Sequence, residues 1–180
     1  MKVLNIIFSA LVGLVLLALF VAIFVKREYG VEREIVIQKP KSEVFDYIKY
    51  LKNQDNYSVW AMKDPAMKKT YAGTDATVGF VSAWDSEQKE VGKGEQEIKN
   101  IINGKKIEYE LRFIKPFEAN DYAFLTTSGI NESQTKVVWG FKGKFKYPMN
   151  LMNLFLDMEG MLGKDLQYGL NNLKQILEKK

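Results

Sequence analysis

An α+β fold is what this sequence predicts: one transmembrane helix, then an antiparallel sheet of about seven strands, then a long C-terminal helix laid against one face of that sheet. Three observations predict it. Nineteen consecutive positions, 6–24, carry no charge and are almost wholly apolar. Between residues 31 and 147 the chain breaks at turn signals into short segments of alternating apolar and polar side chains, the period of a half-buried strand. From residue 148 onward, apolar residues recur at three- and four-residue steps, the period of an amphipathic helix.

The first element, IIFSALVGLVLLALFVAIFV over 6–25, has 20 residues. At about 1.5 Å per residue it reaches about 30 Å, the thickness of a hydrocarbon core. A cleaved signal peptide competes with this reading, but its apolar region is ordinarily shorter and Phe24-Val25-Lys26-Arg27 offers no small-x-small cleavage pattern. Residues 1–27 are therefore read as an uncleaved, single-pass anchor and 28–180 as one domain. Lys2 lies on one side of the span and Lys26, Arg27, Arg33, Lys39 and Lys41 on the other. That count favours a cytoplasmic body, whereas a short tail before a large domain is also the layout of an exported protein, so the side of the membrane stays open.

In the body, a first strand covers 31–38. Pro40 suits a first helical position, and a helix over 41–51 puts Val44, Phe45, Ile48 and Leu51 on one face. A short second helix covers 54–60. Strands follow over 69–72, 78–84, 94–102, 106–114, 121–129 and 135–147, separated by Gly73-Thr74-Asp75, the 85–93 loop, Asn103-Gly104, Lys115-Pro116 and Asn131-Glu132. Strict alternation sets Ile107, Tyr109, Leu111 and Phe113 against Glu108, Glu110 and Arg112, and Val137, Trp139, Phe141, Phe145 and Tyr147 against Lys136, Lys142, Lys144 and Lys146. One face is buried and the other is wet. The cover for the buried face is the stretch 148–180, with Leu151, Phe155, Met158, Leu162, Leu166, Leu170, Leu173 and Leu177 in line. Gly160, Gly163 and Gly169 interrupt it at about 1 kcal/mol each relative to Ala, and mark close packing, a bend, or space left for something else.

Charge and composition exclude several classes of function. Setting aside Lys2, Lys26 and Arg27 leaves 23 basic against 22 acidic side chains over 28–180, so no basic surface is set up for nucleic acid. The chain has neither Cys nor His. Zinc sites built on thiolate or imidazole, disulfides, and every Ser-His or Cys-His catalytic pair are thereby excluded. Any catalysis must use Asp, Glu, Lys, Tyr or Ser.

The segment Val31-Glu32-Arg33-Glu34-Ile35-Val36-Ile37-Gln38-Lys39-Pro40, followed by Glu43-Val44-Phe45-Asp46-Tyr47-Ile48, resembles the opening of the SRPBCC superfamily. That superfamily includes polyketide cyclase/dehydrase-like, START and birch-pollen-allergen-like proteins. The Trp60 segment is similar to the aromatic cluster after its first helix, and 163–174 to its terminal helix, so the resemblance runs over about 29–179. The closest likeness is to bacterial members with one N-terminal membrane helix. The resemblance implies a helix-grip fold, in which a curved sheet wraps the long helix around an apolar cavity. It specifies fold better than chemistry.

Candidate ligand-binding residues in such a cavity are Trp84, Tyr109, Leu111, Phe113, Tyr122, Trp139 and Phe141 from the sheet, with Met152, Phe155 and Met158 from the terminal stretch. Phe80, Phe124 and Met149 have the same parity or spacing. Each of these, taken singly, equally suits plain core packing. Gln96, Thr126 and Ser128 are expected to point inward and to orient a ligand by hydrogen bonds. Asp157 and Glu159, two apart on a helix, diverge too far for an acid/base pair, and Asp64 and Asp75 read as solvated loop carboxylates. The Lys142, Lys144 and Lys146 stripe reads as a solvated strand face or as a surface toward anionic lipid. Gly92-Lys93-Gly94 leads into a strand and is no phosphate loop.

The leading expectation is a membrane-anchored protein that binds a hydrophobic small molecule or lipid-like group without metal, nucleotide or other cofactor. The alternatives are a polyketide cyclase/dehydratase-like enzyme and a structural or chaperone-like interaction module. Ligand identity, any reaction and oligomeric state are not fixed by the sequence.

Overall fold

The computed structural model describes residues 1–179. It opens with helix α1 (Lys2–Phe24) and passes through three residues into strand β1 (Glu28–Ile37). Helix α2 (Lys41–Ile48), a 3₁₀ segment (Leu51–Asn56) and the short helix α3 (Val59–Lys63) follow. Then come β2 (Lys68–Ala72), β3 (Val81–Asp85), β4 (Lys93–Ile102), β5 (Lys106–Lys115), β6 (Ala119–Asn131) and β7 (Gln134–Lys144). A second 3₁₀ segment (Met149–Leu154) and helix α4 (Met158–Glu178) complete the chain. The seven strands form one antiparallel sheet in the order β1-β7-β6-β5-β4-β3-β2. This is the α+β architecture that the alternation predicts.

Register fixes which ends of the strands lie together. Glu28 opposes Lys144, Tyr122 opposes Lys142, Ala119 opposes Phe113, Lys93 opposes Lys115, and Asp85 opposes both Lys93 and Lys68. One end of the sheet therefore gathers the exit of α1, the β5–β6 and β3–β4 loops and the start of α4. α4 runs away from that end across β1, from Arg33 against Gly163 to Gln38 against Glu178. Its buried stripe is Leu166, Leu170, Leu173 and Leu177, packed with Ile37, Ile48, Tyr109, Leu125 and Val137. The helix glycines mark close packing. A Cβ on Gly163 would lie 2.2 Å from the Arg33 guanidinium, and one on Gly169 would lie 2.7 Å from the Trp139 ring.

Four expectations are corrected. The terminal stretch is not one helix from residue 148: Asp157 caps a new start by accepting from the Gly160 amide at 2.8 Å, so Leu151 and Phe155 fall outside α4. α2 ends at Ile48 rather than residue 51, because the Asp75 carboxylate accepts from the Leu51 and Lys52 amides, at 2.8 and 3.1 Å, and so fixes a separate 3₁₀ segment. Asp75 is thus a cap rather than a solvated carboxylate. Asp64 is buried and accepts from the Ser86 hydroxyl at 2.5 Å and the Ala66 amide at 3.1 Å.

The fourth correction concerns β6, whose inward residues are Asp121, Ala123, Leu125 and Thr127. Tyr122, Phe124, Thr126 and Ser128 stand on the outer face. Phe124 belongs there because it opposes Gly140, where a Cβ would come within 2.2 Å of its ring. Lys106 and Lys142 sit over that ring at 5.0 and 5.8 Å. The Tyr122 hydroxyl donates to Glu108.

Charge is paired across the rest of the outer face. Arg112 reaches Glu95, Glu97 and Glu110 at 2.5, 2.7 and 2.8 Å. Glu108 is held by Lys106 at 2.6 Å, by Tyr122 and by the Asn100 amide at 2.9 Å, and these donors bring its carboxyl down to about 2. A carboxyl whose folded pKa lies below its unfolded value stabilises the fold above the unfolded pKa, and that contribution is lost as pH falls toward the folded one. Between about pH 5 and pH 2, the thermal midpoint of Glu108→Gln is therefore expected to fall less steeply than that of wild type. Parallel midpoint curves would exclude a role for Glu108 in acid stability.

α1 is joined to the domain by polar contacts at its carbonyl end, where a helix leaves acceptors without intrahelical partners. Asn150, fully buried, donates its amide to the Ala22 and Val25 carbonyls at 2.7 and 2.9 Å. Asn153 donates to the Lys26 carbonyl at 2.9 Å, and the Tyr147 hydroxyl to the Leu19 carbonyl at 3.1 Å. The Arg27 guanidinium lies 5.9 Å from the Tyr147 ring centre. Along the rest of α1 the apolar side chains are exposed, apart from the half-buried Ala18 and Leu19 and the buried Ala22. The helix is long and apolar enough to cross a membrane.

Candidate functional site

A cavity of about 220 Å³ lies between the concave face of the sheet, α3 and the first turns of α4. The strand period builds its floor. Gln96 on β4, Leu111 and Phe113 on β5, Ala123 on β6, and Trp139 and Phe141 on β7 all project to the same side. Trp84 from β3 closes one wall, edge-on to Phe113 at 5.9 Å and donating its indole N–H to the Val91 carbonyl at 3.2 Å. Trp60, Ala61, Leu162 and Leu166 form the opposite wall, where the Trp139 ring meets Tyr57 and Trp60 edge-on at 5.6 and 6.4 Å.

Five of the ten residues expected to contact a ligand are brought together here: Trp84, Leu111, Phe113, Trp139 and Phe141. The other five are not. Tyr109 faces inward as its parity requires but is fully buried in the core outside the cavity, where burial drives its hydroxyl far above the ordinary tyrosine value. Tyr122 is on the outer face, for the reason given by Phe124 and Gly140. Met152 lies in the second 3₁₀ segment, against which α1 packs, and Phe155, 84% exposed, follows it. Met158 is the first residue of α4, beyond the cavity lining. Ser58, Ala61, Met67 and Ala123 line the cavity without having been singled out by sequence. For Ala123 the signal was present in the β6 alternation once Gly140 is taken as the seat of Phe124.

Polar groups of two kinds reach the cavity. At the rim, Asp55 is engaged by Lys69 at 2.6 Å and by the Tyr71 hydroxyl at 2.9 Å, while Glu90 faces Lys63 at 4.0 Å. Desolvation and the Asp55 carboxylate push Tyr71 up to about 12. In the interior, Gln96 is 9% exposed and its side chain lines the cavity. Ser58, also buried, lines the same space. Buried polar side chains are nearly always hydrogen-bonded; among the described residues the sealed side-chain atoms without a partner are the Tyr109 hydroxyl and Asn150 Oδ1, whereas the Gln96 amide borders the cavity space. The arrangement can enclose an apolar group of less than drug size and offer it one donor and one acceptor.

A seven-stranded antiparallel sheet gripping a C-terminal helix, with α2 and α3 completing the cover, defines a helix-grip protein. No family model and no curated protein sequence matches the chain. Among solved structures it is similar to a truncated norcoclaurine synthase from Thalictrum flavum, with a TM-score of 0.60 at 9% identity, covering 87% of this chain and 98% of that one. It is also similar to Ara h 8.0201, with a TM-score of 0.54 at 11% identity over 84% and 95% of the two chains. The Aha1 dimer from Colwellia psychrerythraea gives a TM-score of 0.54 at 13% identity over 83% and 96%. At these identities the likeness is one of fold.

Proposed function

We propose that this chain is a membrane-anchored binding protein for a hydrophobic small molecule or lipid-like group, held in the cavity between the sheet and α4. Residues 1–27 serve as its anchor and 28–180 as its binding domain. The observation that carries the reading is the cavity itself, walled mostly by apolar side chains and bordered by the Gln96 amide. That amide can pair with a ligand carbonyl or hydroxyl. The ligand is therefore an apolar body with one hydrogen-bonding atom. The cavity volume, below the roughly 300 Å³ at which drug-sized pockets begin, suits a single chain or a small ring system rather than an entire two-chain lipid.

Native mass spectrometry of the full chain released from detergent micelles tests this. Wild type is expected to carry adducts of lipid-like mass, and Gln96→Leu to hold the same species about 3- to 10-fold more weakly, the equivalent of one neutral hydrogen bond. The variant should be as stable as wild type or slightly more so, because no internal hydrogen bond is lost. Wild type free of adducts, or a variant that loses stability and keeps its adducts, would overturn the reading.

A further inference from the structure

The two most exposed apolar side chains of the domain, Phe117 and Phe155, lie toward one end of it. At the end of the sheet where α1 leaves, the β5–β6 loop carries Phe117, 76% exposed, and the turn before α4 carries Leu154 and Phe155. Met149 and Tyr147 on the β7–α4 connection are exposed beside them. This connection is the segment whose Asn150 and Asn153 hold the Ala22, Val25 and Lys26 carbonyls, so Leu154 and Phe155 follow directly on the residues joined to the end of α1. The apolar surface of α1 thus continues onto the domain. Around it stand cations with no carboxylate within ion-pair distance among the described residues: Lys26, Arg27, Lys115 and Lys146. Carboxylates share this end, Glu118 beside Phe117 and Asp157 after Phe155, but apolar tips beside unpaired Lys and Arg are a composition suited to a lipid headgroup boundary.

We infer that this end of the domain is seated in the bilayer, with Phe117, Leu154 and Phe155 below the headgroups and Lys26, Arg27, Lys115 and Lys146 among them. The inference rests on the reading of α1 as a membrane span. It adds that the domain lies on the membrane through two further loops rather than standing off it. Trp84, Phe113, Val91 and Leu162 belong to the same end, so the cavity and the seated surface share it.

The absence of cysteine makes the test direct, since single cysteines introduced at Phe117, Phe155, Ile130 and Val12 can each carry an environment-sensitive fluorophore. Ile130 is an exposed apolar residue at the opposite end of the sheet, 54% exposed, and Val12 lies midway along α1. All four positions are exposed, so labelling does not disturb the core. The full chain is reconstituted in vesicles of phosphatidylcholine and phosphatidylglycerol, with and without doxyl-labelled lipid. The expected result is that labels at 117, 155 and 12 lose most of their emission to the doxyl groups, whereas the label at 130 keeps its own. Labels at 117 and 155 as unquenched as the one at 130, with 12 quenched, would leave the anchor standing and overturn the seating. An unquenched label at 12 would remove the anchor reading and the seating with it.

Discussion

A chain ending at Met161 is expected to lose cooperative unfolding altogether. The truncation removes 162–180, and with it Leu166, Leu170, Leu173 and Leu177, all buried against the inner face of the sheet. Loss of one buried leucine side chain costs about 2 to 5 kcal/mol, and the net stability of a domain is about 5 to 15 kcal/mol. Four such losses, about 8 to 20 kcal/mol, are as large as the whole net stability. Trp139, Val137 and Ile37 would at the same time face water. Circular dichroism during heating is the measurement, and a truncated chain that melts as sharply as the intact one would show that α4 is not the cover of this core.

Replacing Trp139 by Ala is expected to destabilise the fold by about 3 kcal/mol, the low end of what large-to-small aromatic changes cost. The indole is 4% exposed and packed on three sides, by Tyr57, Trp60 and the bare backbone of Gly169. Its fourth side faces the cavity, where no contacts are lost. The denaturant midpoint should fall with the slope unchanged, since the surface exposed on unfolding is nearly the same. A loss below about 1 kcal/mol would make Trp139 a wall of the cavity and nothing more, because packed core aromatics cost more than that.

How much of this was legible in the sequence depended on how cleanly each segment separated its faces. The faces of β5 and of 137–141 in β7 follow from sequence because Ile107 to Phe113 and Val137 to Phe141 put bulk on one parity and charge or small residues on the other, whereas Phe145 and Tyr147 keep that parity past the end of β7 at Lys144. β6 offers bulk on both: Tyr122 and Phe124 on one face, Ala123 and Leu125 on the other. Side-chain volume favoured the wrong face. What decides it is a cross-strand fact, that Phe124 opposes Gly140, and no single segment contains that pairing.

The terminal stretch failed differently. Leu151, Phe155 and Met158 keep helical spacing with Leu162, so periodicity ran through a boundary that the Asp157 cap imposes. Three of the candidate ligand residues were lost with it. Of the cavity, Gln96 was legible from the alternation of Gly94, Gln96 and Ile98 along β4, whereas its place at the cavity wall is a property of its three-dimensional surroundings.

The three residues between α1 and β1, together with the Asn150 and Asn153 bonds, leave no hinge between helix and sheet. A domain on a flexible leash sweeps a hemisphere and meets its surroundings from every direction. This one has no leash. Turning α1 about its own axis turns the sheet by the same angle, and tilting α1 lifts or lowers one rim of the domain as a lever does. The attitude of the helix to the sheet is thus held by Asn150, Asn153 and Tyr147. A neighbour that gripped the helix would steer the cavity without touching it.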